Sequence, residues 1–101
     1  MAAEQKLEAA AVNYARARGW LVYKFTSPSQ PGVPDRIFIS PTGITVYVEF
    51  KSPKGKLSAL QARTIEKLIR NGCFVGVFSD ITTVCDALDA LQGKKLTVED
   101  K

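Results

Sequence analysis

The stretch Gly32-Val33-Pro34-Asp35, followed by Val48-Glu49-Phe50-Lys51, decides how this chain folds and what chemistry it can carry. Asp35 follows a proline and opens the apolar run Arg36 to Ser40. Ile44 to Lys51 reads as a strand. Period-two geometry then sets Val46, Val48 and Phe50 on one face and Tyr47, Glu49 and Lys51 on the other. Taken singly, Asp35 could cap the amides of a turn, and Glu49 and Lys51 could form a solvated ion-pair row. Taken together, two carboxylates and an ammonium converge on one point. Carboxylate oxygens suit a hard divalent cation that holds and polarises a phosphate, and a lysine beside them can orient or deprotonate an attacking water.

Outward from this motif, the order of elements is α-β-β-β-α-β-α. Residues 4–18 read as an alanine-rich helix with Leu7, Ala11, Tyr14 and Ala15 at helical spacing, closed by Gly19. Trp20 to Phe25 is an aromatic and β-branched first strand. Thr26 to Pro34 is a proline-rich loop. Arg36 to Ser40 is the second strand, joined through the Pro41-Thr42-Gly43 turn to the third. Ser52 to Lys56 is a basic loop. Ser58 then caps a helix from Ala59 to Asn71, with Leu60, Thr64, Ile65, Leu68 and Ile69 as its apolar stripe. Phe74 to Ser79 reads as a buried strand. Asp80 caps a last helix, Ile81 to Leu91, with Val84, Leu88 and Leu91 inward. A helix between the third and fourth strands implies a mixed sheet with a right-handed crossover. The fold class is therefore α/β, one domain over residues 1–92 with a short charged tail over 93–101.

The bulk composition bounds the function. The chain has 101 residues, 46% hydrophobic and 24% charged, with 14 Lys+Arg against 10 Asp+Glu and a net charge of +4. That is one compact domain with a modest core, basic enough for a polyanionic partner, although many small domains are equally basic. No apolar run approaches the ~18–20 residues of a membrane span. The start of the chain mixes Glu4, Lys6 and Glu8 with alanines, unlike a secretory signal. Cys73 and Cys85 lack metal-type spacing and read as buried, reduced thiols of a cytoplasmic protein. There is no histidine, so Ser–His and Cys–His pairs and histidine zinc sites are excluded, and carboxylates and lysine must carry any catalysis.

With the motif and the element order together, the chain resembles nucleases of the P-D…(D/E)-x-K superfamily. Within it, the chain is most similar to the VRR-NUC family, the virus-type replication-repair nucleases. The matching residues are Gly32-Val33-Pro34-Asp35, Val48-Glu49-Phe50-Lys51-Ser52, Pro53-Lys54-Gly55-Lys56-Leu57-Ser58, Gln61, and Glu4 in the first helix. The resemblance implies a small nuclease with a restriction-endonuclease-like core, akin to structure-specific nucleases and Holliday-junction resolvases. Its short forms are typical of phages and mobile elements, which would act in a bacterial host's cytoplasm, and its compact members are often homodimers. It maps Asp35 and Glu49 onto metal ligands, Lys51 onto the catalytic lysine, and Gln61 and Glu4 onto accessory positions.

The expected reaction is hydrolysis of a DNA phosphodiester with Mg²⁺ or Mn²⁺, in one- or two-metal form. Asp35, Glu49 and the Phe50 backbone carbonyl would hold the cation, with Glu4 helping through water. Glu8 lies one turn from Glu4 and is the alternative helix carboxylate. Gln61 has a structural reading too, since Ser58-Ala59-Leu60-Gln61 is a capping box. Lys54 and Lys56 are the first candidates for phosphate contacts, followed by Arg36, Arg63 and Lys24. The substrate expected is branched duplex DNA. The alternatives are a flap- or end-cutting nuclease, a DNA-binding or assembly module of the same fold that does not cleave, and an RNA-directed enzyme. Trp20 to Phe25, or the last helix around Val84, Leu88 and Leu91, is the expected dimer surface.

Overall fold

The computed structural model describes residues 2–93; the tail assigned above, apart from Gly93, lies outside them. The elements are α1 (Ala3–Ala17), β1 (Leu21–Lys24), β2 (Arg36–Ile39), β3 (Thr45–Phe50), α2 (Ala59–Arg70), β4 (Phe74–Phe78) and α3 (Ile81–Gln92). This is the order read from the sequence, with ends that differ by a residue or two, as fraying ends do. The four strands form one mixed sheet in the order β1-β2-β3-β4, antiparallel except for the parallel β3–β4 pair that α2 connects.

One face of the sheet carries the core. Val22, Phe38, Val46, Val48, Phe50 and Phe78 meet Leu7, Ala11, Val12 and Ala15 of α1 and Val84 and Leu88 of α3. The two helices also pack on each other. The Phe38 and Phe50 rings lie tilted at 6.2 Å, which adds aromatic contact to the burial. Ile65, the buried residue of α2, stands outside this cluster. Gln61 of α2 instead reaches Glu49, whose side chain points to the face opposite Val48. Thus α2 covers part of the second face beside β4.

Four expectations need correction. β4 is not a buried strand: Phe74 is 53% and Val77 40% exposed. Among the described residues it is an edge strand, paired only with β3. The stripe of α2 is narrower than its periodicity implies. Leu60 and Ile69 are exposed, because the helix has only the sheet margin beneath it. Trp20, Val22, Val84 and Leu88 are not spare surface either. They are buried in the chain's own core, where Trp20 and Val22 meet α1 and α3. Finally, Cys73 and Cys85 are free but only half-buried, at the margins of the core.

Local chemistry places the ends of these elements. Gly19 follows α1 with φ +85°, a left-handed conformation that L side chains adopt rarely. Asp80 caps α3 by accepting from the Thr83 amide at 2.9 Å. At the hairpin pole of the sheet, Gln92 accepts from the Trp20 indole, and its amide donates to the Arg18 carbonyl at 3.0 Å. The C-terminal end of α3 is thereby locked to the C-terminal end of α1.

Candidate active site

The site lies at the opposite pole, where β2 begins and β3 ends. Asp35 sits immediately before β2 and Glu49 one residue from the end of β3. Glu4 lies in the first turn of α1. One carboxylate oxygen from each of Glu4, Asp35 and Glu49 lies within 4.8 Å of the others. Three acids from three elements, widely separated in sequence, are thus brought to a separation one cation can bridge. Asp35 is exposed, Glu4 half-buried and Glu49 2% exposed, so the cluster grades from solvent into the protein.

Glu49 is the most constrained member. Its Oε2 lies 3.6 Å from the Lys51 ammonium and accepts from the Gln61 amide at 3.4 Å. Its Oε1 is buried with no hydrogen-bond partner among the described residues. A buried, unpartnered carboxylate oxygen facing two other acids is costly unless a cation completes it. Burial first, and the nearby Asp35 second, push the Glu49 carboxyl up to about 7, against the opposing pull of Lys51. The donor set, all hard oxygens with no imidazole or thiolate, suits Mg²⁺-type cations over zinc.

The backbone adds one more candidate ligand. Lys51 N–H donates to the Phe78 carbonyl at 2.9 Å, so in this ladder Phe50 turns its own carbonyl toward β2. Continuing the β2–β3 register beyond Arg36↔Val48 brings Pro34 opposite Phe50. Proline has no N–H, so Pro34 cannot donate to the Phe50 carbonyl.

Gln61 closes the capping box read for it and also reaches Glu49. Its backbone N–H donates to Ser58 Oγ at 3.1 Å, and its side-chain oxygen accepts from the Ser58 amide at 3.0 Å, closing the capping box. Its side-chain nitrogen is left to donate to Glu49. Between Glu4 and Glu8, it is Glu4 that joins the acidic cluster. Glu8 accepts instead from Arg36 Nε at 2.7 Å. Arg36, read as a phosphate contact, is turned inward onto that acid. Lys54, Lys56, Arg63 and Lys24 are exposed. Lys24 also lines a cleft of about 220 Å³ with Glu8, Phe25, Thr26, Asp35 and Arg36.

Sequence reasoning missed the Glu8–Arg36 pair. The available signal was an arginine directly after Asp35 and an acid one turn beyond Glu4.

A mixed α/β sheet that converges three acids, a lysine and a glutamine on one pole has the makings of a phosphodiesterase centre of the nuclease class. The comparisons agree. The VRR-NUC domain profile matches residues 2–79. A protein of Acyrthosiphon pisum secondary endosymbiont phage 1, named "Putative nuclease p44", is 34% identical over 88 residues, covering 85% of this chain and 95% of its own length. A solved structure described as "VRR_NUC domain" is similar with a TM-score of 0.81 at 28% identity, covering 89% of this chain and 97% of its own. A second, "VRR_NUC domain protein", shares the fold with a TM-score of 0.71 at 15% identity, covering 89% and 88%. The chain belongs to the VRR-NUC family, a nuclease family.

Proposed function

We propose that this protein is a metal-dependent endodeoxyribonuclease that cuts branched DNA, such as a Holliday junction, during replication, repair or recombination of a phage or mobile element. The observation that carries the reading is the convergence of Glu4, Asp35 and Glu49 beside Lys51, with one Glu49 oxygen left buried and unpartnered. Asp35, Glu49 and the Phe50 carbonyl would hold Mg²⁺ or Mn²⁺, and Glu4 would reach it directly or through water. When bound, that cation would polarise the scissile phosphate and lower the pKa of an attacking water.

The chain's own groups supply the rest. Lys51 orients the water and offsets the negative charge that develops on the phosphorane oxygens. Gln61 holds the Glu49 carboxylate by its amide while anchored to the helix cap. Lys54, Lys56, Arg63 and Lys24, exposed and basic, contact phosphates without reading sequence.

Two matched cuts are needed to resolve a junction, and a two-fold dimer supplies both sites. Leu21 and Tyr23, exposed on β1, are what remains of the apolar surface foreseen for it. The test is cleavage with and without Mg²⁺ or Mn²⁺ on linear duplex, flap, splayed-arm and four-way-junction DNA, with light scattering on the same sample. Metal-dependent, paired cuts in the junction by a dimer are expected. Cleavage confined to flaps or ends by a monomer would replace the junction reading, and no cleavage on any substrate would leave a DNA-binding module.

A further inference from the structure

The Glu8–Arg36 ion pair ties together the two elements that carry the exposed side of the site. Glu8 lies one helical turn after Glu4 on α1, and Arg36 follows Asp35 directly at the start of β2. The guanidinium Nε reaches the Glu8 carboxylate at 2.7 Å, and both side chains are largely shielded from solvent. Near one end of each element is a candidate metal ligand, and next to each is a member of the pair. Glu4 stands in the first turn of α1, at the opposite end of the helix from the Arg16 hydrogen bond to the Val22 carbonyl, so its distance from Asp35 depends on how that turn is anchored. Leu7 packs it to the core from one side. The ion pair fixes it to β2 itself.

We propose that Glu8 and Arg36 are positioning residues for the metal site, setting the Glu4 carboxylate against Asp35 and Glu49, and that Arg36 is not chiefly a phosphate contact. The inference rests on reading those three acids as metal ligands. It differs in sign from simple electrostatics. Removing the Arg36 cation takes a positive charge from beside an acidic cluster, and Coulomb's law alone would then strengthen cation binding. Loss of the positioning pair weakens it, as outer partners of metal ligands do, by about 10-fold or more.

The test is Mn²⁺ affinity by electron paramagnetic resonance and calorimetry, with the metal-free melting temperature measured alongside. Arg36→Gln and the charge-neutral double variant Glu8→Gln/Arg36→Gln should each bind Mn²⁺ about 10-fold or more weakly. Arg36→Lys, which can still reach Glu8, should recover much of the loss. The two single variants should be non-additive, since they remove the same contact. If the wild-type protein binds Mn²⁺ normally and these variants bind it as well or better, the positioning role is overturned and the metal site stands. If the Arg36 variants instead lose only DNA affinity, with a salt slope lower by about 1, Arg36 is a phosphate contact. Failure of the wild-type protein to bind Mn²⁺ at all would overturn the metal-site reading and this inference with it. Should Arg36→Gln fold poorly, Glu8→Ala, which removes the acceptor facing Arg36, carries the affinity measurement.

Discussion

Glu49 holds its proton more tightly in the folded protein than an ordinary glutamate, because burial disfavours its charge and Asp35 repels it. Its carboxyl is raised from 4.5 to about 7, so the metal-free fold binds more protons than the unfolded chain between those values. Stability of the metal-free protein should accordingly fall as pH rises from 4.5 through 7. A bound cation reverses this by replacing the proton. Its apparent affinity should climb by up to about tenfold per pH unit below 7 and level off above, with a proton released on binding. Thermal melts with and without Mg²⁺ at pH 5.5 and 8 check both signs. Lys51→Ala should lower cleavage by about 100-fold or more while leaving metal binding in place, since it removes the group that handles the water. Asp35→Asn and Glu49→Gln should weaken metal binding as well, an amide being a poorer ligand for a hard cation. Full activity of all three variants would remove this site from consideration. At this scale the sequence was informative where chemistry is local. Asp35, Glu49 and Lys51 could be named as candidates because a strand's period fixes their faces. The partner of Arg36 could not, because it depends on how α1 crosses the sheet.

The elements that meet the site differ in how they are held. α2 opens with a capping box whose glutamine also faces Glu49, so the start of a helix and the orientation of a carboxylate share one side chain. Ser58→Ala removes the hydroxyl that accepts from the residue-61 amide but leaves the Gln61 side chain near Glu49, whereas Gln61→Ala keeps that cap bond and removes the side-chain half of the box together with the Glu49 contact. Each should cost about 1 kcal/mol of stability, but only Gln61→Ala should also slow cleavage at saturating metal. Equal activity of the two would reduce Gln61 to a cap. The order of all seven elements was legible because turn residues and hydrophobic periods mark them. The status of β4 was not. A run such as Phe74-Val75-Gly76-Val77-Phe78 reads the same in the middle of a sheet as at its margin, and only the absence of a fifth strand among the described residues exposes it. The opposite edge is better guarded. The Arg16 guanidinium donates to the Val22 carbonyl at 3.4 Å, occupying an outward group of β1 that another strand could otherwise pair with.

Over the whole molecule, the acids are gathered at one pole and the exposed lysines of the Ser52 to Lys56 loop follow directly from Lys51. A polyanion is attracted by the net charge of +4 while the acidic pole repels it unless cations are bound. DNA affinity should therefore fall steeply with salt and rise when a non-catalytic divalent cation such as Ca²⁺ is added. Lys54→Ala with Lys56→Ala should lower the slope of log affinity against log salt by roughly one to two. A salt-insensitive, sequence-specific interaction would count against backbone contacts as the source of affinity. The core also explains why the last helix does not offer Val84 and Leu88 as a dimer surface. Val84 and Leu88 pack into the core with α1 and the sheet, which leaves Leu21 and Tyr23 of β1 as the exposed apolar residues of that expectation.

Glu4 stands in the first turn of α1, close behind Ala2, so anything fused ahead of the chain begins beside the carboxylate cluster. The sequence contains no histidine, and a polyhistidine purification leader would introduce imidazoles next to the acids. Those imidazoles would compete for transition metals and crowd the path of a DNA strand. Gln92, held against Trp20 and Arg18, lies at the pole remote from those acids. Leader-bearing and leader-free preparations should consequently give different Mn²⁺ affinities.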